Sequence, residues 1–250
     1  MKIKNILISQ PQPSEPEKSP YWELTKKFNV NLTYRKFIMI EGIPAKEFRK
    51  DKINIPDFTA VIFTSKNAVD HFFRICKEMR VEVPDTMKYF CVSESTAYYL
   101  QKYVQYRKRK VFHSKENLTV LAELIKKNKS EKFLLPCSDV HKQEIPKMLD
   151  DNKILYKKAI IYRTLASDLS DIDIRKFDML VFFSPSGIKS LKKNFPDFEQ
   201  NSVVIAAFGS STAKAVTDEG LQLGISAPTP SAPSMALAID QFLHNEMKKK

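Results

Sequence analysis

At 250 residues and 43% hydrophobic, the chain can bury one large core or two modest ones, and ordinary domain sizes favour two. Forty-one Lys and Arg against 29 Asp and Glu leave a net charge of +12, which favours an anionic partner: nucleic acid, a membrane surface or a small polyanion. The apolar runs are too short for a membrane span or signal segment, and Cys76, Cys91 and Cys137 lack both C-x-x-C spacing and a histidine at ligand spacing, so a soluble cytoplasmic protein without disulfide framework or zinc site is expected.

Along the chain, short apolar strands alternate with segments of helical spacing, the pattern of βαβ units around a parallel sheet. The predicted strands are NILIS (5–9), AVIFTS (60–65), YFCVS (89–93), KVFHS (110–114), KFLLPC (132–137), MLVFFS (179–184), VIAAFG (204–209) and LGISA (223–227). Two longer stretches, NLTYRKFIMIE (31–41) and KILYKKAIIYRTL (153–165), are rich in β-branched and aromatic residues and carry no helical stripe. They are expected to be extended.

The order repeats. VIFTSKNAVDHFF (61–73) matches the stretch that begins VFFSPSGIKSL (181–191), with Phe58 over Phe177, Ser65 over Ser184 and Val69 over Ile188. VSESTAYYL (92–100) matches FGSSTAKAV (208–216), and NILIS matches KFLLP. Each half therefore has one plan: strand, helix, a long extended piece, then three more βα units. The extended pieces follow the first βα unit, where a crossover between domains belongs, and their pairing as an antiparallel ribbon would build each domain from both halves. The expected class is α/β: two doubly wound parallel-sheet domains joined by a two-stranded antiparallel ladder, with the N-terminal βα unit packed in the C-terminal domain. The expected boundaries are 1–33 with 166–250 for one domain, 41–157 for the other, and 34–40 with 158–165 for the ladder.

Nearly every strand ends on Ser, Thr, Cys or Gly. Ligands of open parallel sheets bind outside the carboxyl ends of strands, where helix N-termini offer free N–H groups and the positive end of a dipole to an anion. Ser and Thr at these places cap the helix and can also donate to a carboxylate or phosphate. Thr64, Ser65, Ser184, Ser186 and Ser211 are so placed. For any one of them capping alone is the simpler reading; the recurrence at several strand ends of two repeated domains points to a binding site. Tyr162 lies on the second extended piece beside Arg163, where a phenol can donate a proton into an interdomain cleft, with the arginine easing a nearby anion, or pack on the ribbon face.

Other chemistries find no support. The glycine-rich phosphate loops are missing, and five glycines in all serve a pyrophosphate poorly. No strand ends in an Asp cluster, and His71, His113, His141 and His244 lack ligand spacing, so each reads as a structural or surface histidine and no metal is expected. No G-x-S-x-G elbow accompanies the serines. The basic run YRKRK (106–110) lacks the aromatic interleaving of a strand-tracking groove and reads as a solvated face, so no nucleic-acid partner is expected.

The ordered set FTSKNAV, VSESTAYYL, LLPCSDVHKQEIPKML, AIIYRT, VFFSPSGI, AAFGSSTAKAV and APTPSAPSMALAI resembles uroporphyrinogen-III synthase over nearly the full chain, more closely in the second half. The resemblance implies a cyclising lyase of tetrapyrrole biosynthesis. Its substrate would be hydroxymethylbilane, a linear tetrapyrrole octacarboxylate, closed with inversion of the last ring and loss of water. It implies no metal or organic cofactor, a monomer, and neither nucleic acid nor membrane as partner. Carried over position by position, the family's cleft residues fall on Thr64 and Ser65, on Thr96, on Ser184, and on Ser211 and Thr212, and its proton donor falls on Tyr162. The chain departs from the family pattern at Gln10, where a cation is usual, and at Ser93, where glycine is usual and Glu94 follows. These departures define the alternative, a non-catalytic relative that binds an anionic ligand such as a tetrapyrrole.

Overall fold

A computed structural model describes residues 3–114, 118–141 and 143–248. The chain divides into two compact units, Met1–Met39 with Leu165–Lys250, and Ile40–Thr164. In chain order the elements are β1 (Asn5–Ile8), α1 (Trp22–Phe28), β2 (Asn31–Tyr34), β3 (Ile38–Gly42), α2 (Ala45–Phe48), β4 (Ala60–Phe63), α3 (Lys66–Met79), β5 (Lys88–Cys91), α4 (Glu94–Leu100) and β6 (Val111–His113). There follow α5 (Leu118–Lys127), β7 (Phe133–Ser138), α6 (Glu144–Asp151), β8 (Tyr156–Ala166), β9 (Met179–Phe182), α7 (Pro185–Asn194), β10 (Val204–Phe208), α8 (Ser210–Asp218), β11 (Leu223–Ala227) and α9 (Met235–Lys248). Among the described residues no helix is long and apolar enough to cross a membrane.

The discontinuous unit holds a parallel sheet in the order β11-β10-β9-β1-β2, so the N-terminal βα unit completes the sheet of the C-terminal half, as the repeat predicts. The other unit holds the order β3-β8-β7-β4-β5-β6, parallel from β8 to β6. Its edge strand β3 runs antiparallel to β8: Ile43 N donates to Ile161 O while Ser167 N donates to Phe37 O. This pair is the expected ladder.

The strands form where apolar residues run without alternation, because a parallel strand is covered on both faces. Every residue of β4 and of β9 is buried. Successive side chains then serve opposite faces: in β9, Met179 and Val181 join one core cluster with Ile6, Ile8 and Ile239, whereas Leu180 and Phe182 join another with Leu7, Ile188 and Leu191. The helices carry one apolar stripe, as in α3, which buries Ala68, Val69, Phe72, Ile75 and Cys76.

The structure corrects two details. The stretch 31–41 is not one strand. Its first part, β2, pairs parallel with β1, from Asn31 opposite Asn5 to Tyr34 opposite Ile8, because the outer edge of β1 must find partners for its backbone groups. The chain then turns at Phe37, which is buried edge-on against Phe182 at 5.4 Å, and resumes as β3. The predicted strands at 60–65, 89–93, 179–184 and 204–209 also overrun. Ser65, Ser93 and Ser184 keep an extended backbone but have left the ladder to cap the next helix.

Candidate functional site

In the unit Ile40–Thr164 the crossovers leaving β4 pass through α3 to β5 and then through α4 to β6, while β7 and β8 lie on the other side of β4. Where the winding reverses, the carboxyl ends of β4 and β7 leave a crevice that the crossovers do not cover. A cavity of about 350 Å³ lies there, lined by Thr64, Ser65, Val92, Cys137, His141 and Tyr162 among others. The arrangement of strands therefore brings Thr64 and Ser65 to a residue 97 positions further on.

Ser65 Oγ accepts from Ala68 N at 3.1 Å and lies 3.5 Å from the Tyr162 hydroxyl. Capping uses a lone pair of the serine and leaves its proton to donate, so the structural and binding roles are compatible in one residue. The contact with Tyr162 is at the limit of a hydrogen bond. Tyr162 is 7% exposed. Burial raises the phenol's pKa above its ordinary value, outweighing the opposing hydrogen bond with Ser65. Tyr162 is consequently a neutral donor. Burial likewise pushes the Cys137 thiol up to about 11, which keeps it a thiol.

The loop after β7 is held by one carboxylate. Asp139 Oδ1 accepts from Ser138 Oγ at 2.8 Å, Val140 N at 2.8 Å and Thr164 N at 3.0 Å. Burial works to raise the pKa of Asp139, but the bonds from Ser138, Thr164 and Val140 with the charge of Arg163 outweigh it and hold the group below the usual range. Within this loop His141 Nδ1 lies 2.9 Å from Ser138 O, a carbonyl to which it can only donate, so in the neutral ring Nε2 is the acceptor. That nitrogen is buried without a hydrogen-bond partner among the described residues.

Several expectations change on contact with the geometry. Thr96 is 3% exposed and Thr212 1% exposed, so neither hydroxyl faces solvent; Thr96 Oγ1 meets the capping Ser93 Oγ at 3.0 Å. Each stands early in its helix, where the side chain turns inward onto the sheet. Arg163 pairs with Glu47 of α2 and so is not a bare cation waiting for an anion. Ser93 caps α4 by accepting from Thr96 N at 3.3 Å, and Glu94 is exposed in the first turn.

In the discontinuous unit the winding reverses between β1 and β9. Ser184 caps α7, accepting from Gly187 N at 3.2 Å, and Ser186 is half-buried in the first turn. Gln10 is exposed just past β1, and Ser211 is exposed at the start of α8. Sequence reasoning missed His71, whose ring stacks on Tyr162 with centroids 5.0 Å apart, and passed over Cys137 and His141. No local pattern marks these residues; only strand pairing brings them together.

Comparison with known proteins agrees with this architecture. A family model described as Uroporphyrinogen-III synthase HemD matches residues 37–236. The uroporphyrinogen-III synthase of Chlorobaculum parvum is 27% identical over 266 residues, covering 96% of this chain and 100% of that protein. The solved uroporphyrinogen-III synthetase of Helicobacter pylori aligns with a TM-score of 0.61 at 19% identity, over 97% of this chain and 100% of the other. A mutant uroporphyrinogen III synthase of Thermus thermophilus aligns with a TM-score of 0.55 at 13% identity, over 99% of this chain and 100% of the other. At such identities the structural likeness speaks for the fold.

Proposed function

The chain belongs to the uroporphyrinogen-III synthase family, and from that premise we propose which of its residues carry the cyclisation of hydroxymethylbilane. The enzyme is a cyclising lyase of tetrapyrrole biosynthesis. Its substrate is a flexible polyacid; within one unit the helix start after β4 offers carboxylates its N–H groups with Thr64 and Ser65, and within the other the helix starts after β9 and β10 do so with Ser184, Ser186 and Ser211. Uncharged donors hold carboxylates without locking each into an ion pair, while the net charge of +12 draws the polyacid in. Thr96 and Thr212, closed inside, act by shaping the turns whose N–H groups face the ligand.

Tyr162 gives its proton to the terminal hydroxyl of the substrate, which leaves as water as the pyrrole nitrogen pushes its electron pair into the ring. The substituted carbon of the last ring then attacks the azafulvene to form a spiro intermediate; the bond from that carbon to the bridge of the preceding ring breaks, leaving a second azafulvene there, and the unsubstituted α-carbon of the turned ring attacks it to close the macrocycle. His141 Nε2 is a fitting acceptor for a pyrrole N–H. Holding the chain folded over its last ring supplies much of the selectivity, because the unassisted product is the uninverted isomer. The carbon that makes the closing bond sheds its proton as its pyrrole regains aromaticity, which returns the Tyr162 phenolate to phenol, so protons and electron pairs balance between substrate and Tyr162 without a cofactor. We place this chemistry in the cytoplasm, in a monomer, without nucleic acid.

The observation that carries this reading is the neutral, buried phenol of Tyr162 meeting Ser65 in the cavity where the winding of the sheet reverses. To test it, purified protein is supplied with enzymatically generated hydroxymethylbilane. The fraction of type III over type I uroporphyrinogen should rise, and an unchanged ratio overturns the reading. Tyr162→Phe should slow that product and leave the fold intact; an unaltered rate removes Tyr162 from the mechanism.

A further inference from the structure

We infer that His71 and Arg74 are positioning residues for the Tyr162 phenol, a conclusion that rests on the reading of Tyr162 as proton donor. The His71 imidazole lies almost parallel to the Tyr162 ring, at 5.0 Å between centroids and 22° between planes. Arg74, one helical turn further along α3, donates from Nε to His71 Nδ1 at 3.1 Å. An N–H donor aimed at Nδ1 requires that nitrogen to carry no proton, so the imidazole is neutral with its hydrogen on Nε2. Burial and then the charge of Arg74 hold the His71 pKa below its ordinary value.

Arg74 is itself held on every side. Nη1 donates to Glu78 Oε1 at 2.5 Å, and Nη2 donates to Ile43 O at 2.9 Å and to Ile161 O at 3.0 Å. Ile161 precedes Tyr162, so a single guanidinium fastens the backbone beside the phenol and, through His71, the plane of its ring. Gly42 makes room for it. A β-carbon at that position would come within 2.6 Å of Arg74 Cζ and Nε, so the guanidinium occupies the space a side chain would take there and would have to shift. The tyrosine needs such support because the ring torsion of an aromatic side chain is broad, and its hydroxyl meets Ser65 only at 3.5 Å. A flat ring against its face sets the plane in which the O–H can point.

The other charged groups around His71 are accounted for. On α3, Asp70 receives the hydroxyls of Tyr99 at 2.7 Å and Tyr103 at 2.6 Å, and Glu78 also accepts from Ala45 N of α2 at 3.1 Å. From β8 the facing group is the Tyr162 phenol. Protonation of His71 would therefore abolish the bond from Arg74 and set two cations side by side.

The test measures kcat, KM and the pH profile of type III uroporphyrinogen formation. His71→Ala is expected to lower kcat about ten-fold to a hundred-fold by misplacing the donor, with KM and thermal stability close to wild type. In a Tyr162→Phe background the same change should cost nothing further. His71→Phe, which keeps a flat ring, should recover most of the rate at neutral pH and lose the acid limb that protonation of His71 gives the wild type. Gly42→Ala, which displaces the guanidinium without touching either ring, should act as His71→Ala does and serves if that variant does not fold. Additive losses, a rise in KM in place of the fall in kcat, or an acid limb retained in His71→Phe would each overturn the inference. If Tyr162→Phe slows the reaction and the His71 variants do not, this inference fails alone. If Tyr162→Phe has no effect, the proton-donor reading fails and this one with it.

Discussion

Ser93 and Gly209 stand at the same point of the two repeats, before α4 and before α8, with backbones of opposite sign: φ is −149° at Ser93 and +89° at Gly209. The first turn is extended backbone that any residue adopts, and its serine satisfies Thr96 N. The second lies where side chains are strained. Gly209→Ala meets no atom within 4 Å of the new carbon, so the whole cost is backbone strain, about 1–3 kcal/mol. Urea unfolding measures it, and a change within about 0.5 kcal/mol, the range of an ordinary surface substitution, would mean that the turn relaxes.

At Ser93 the ordering of two substitutions is diagnostic. Ser93→Ala should destabilise by about 1 kcal/mol and Ser93→Gly by only a few tenths, because glycine exposes the helix start to water where alanine covers it. The reverse order would show that Ser93 does not act as the cap. The serine is thus a sound local solution where the family usually has glycine, and nothing in the comparisons favours the non-catalytic alternative.

Capping and binding separate at Ser184. Ser184→Asp keeps an acceptor for Gly187 N, so stability should change by no more than a few tenths of a kcal/mol. It also places a negative charge where the proposed function seats a substrate carboxylate, and the rate of type III formation should fall about ten-fold or more. Ser184→Ala should do the opposite, losing about 1 kcal/mol of stability with a smaller loss of rate. Full activity in Ser184→Asp would remove Ser184 from the binding surface.

The phenol of Tyr162 has its pKa raised by burial above the ordinary value of 10.0. The proposed proton donor is therefore loaded at neutral pH and stays so on the alkaline side. No alkaline loss of kcat below about pH 10 should trace to this group. An alkaline limb near pH 8 that is present in the wild type and missing in Tyr162→Phe would contradict the burial argument.

Asp139 links stability to acid. Its pKa is held below the ordinary carboxylate value in the folded chain, so its ionised form contributes stability that is present above the unfolded pKa and is lost as pH falls through the folded one. Asp139→Ala should cost about 1–2 kcal/mol at neutral pH, given bonds to a charged acceptor that is largely open to solvent. The gap from wild type should narrow as pH falls below the ordinary carboxylate range. A gap that persists in acid would show that the loop depends on the shape of the side chain and not on its charge.

The strand and helix segments were legible because burial on both faces of a sheet leaves an unbroken apolar run, and one buried helix face leaves a stripe. Both patterns act over a few residues. The duplication made the exchange of the first βα unit readable as well, since a second extended piece implied a second crossing. The break at residues 35–37 was not readable, because it depends on the open edge of β1 and on the pocket that Phe182 offers to Phe37. Nor was the inward turn of Thr96 and Thr212. A threonine early in a helix has the same local sequence whether its hydroxyl meets water or the sheet.

By itself the sequence determined the class of fold, the doubling of its plan and the hydroxyl-bearing strand ends, all consequences of periodicity and of caps that act within one helical turn. Only the tertiary structure decided that His71 of α3 stacks on Tyr162 of β8 and takes a bond from Arg74, that Arg163 is already paired with Glu47, and that His141 lines the same cavity as Tyr162. Those relations join residues far apart in the chain. Their distances are set by the order and register of strands in the sheet, which no local propensity encodes.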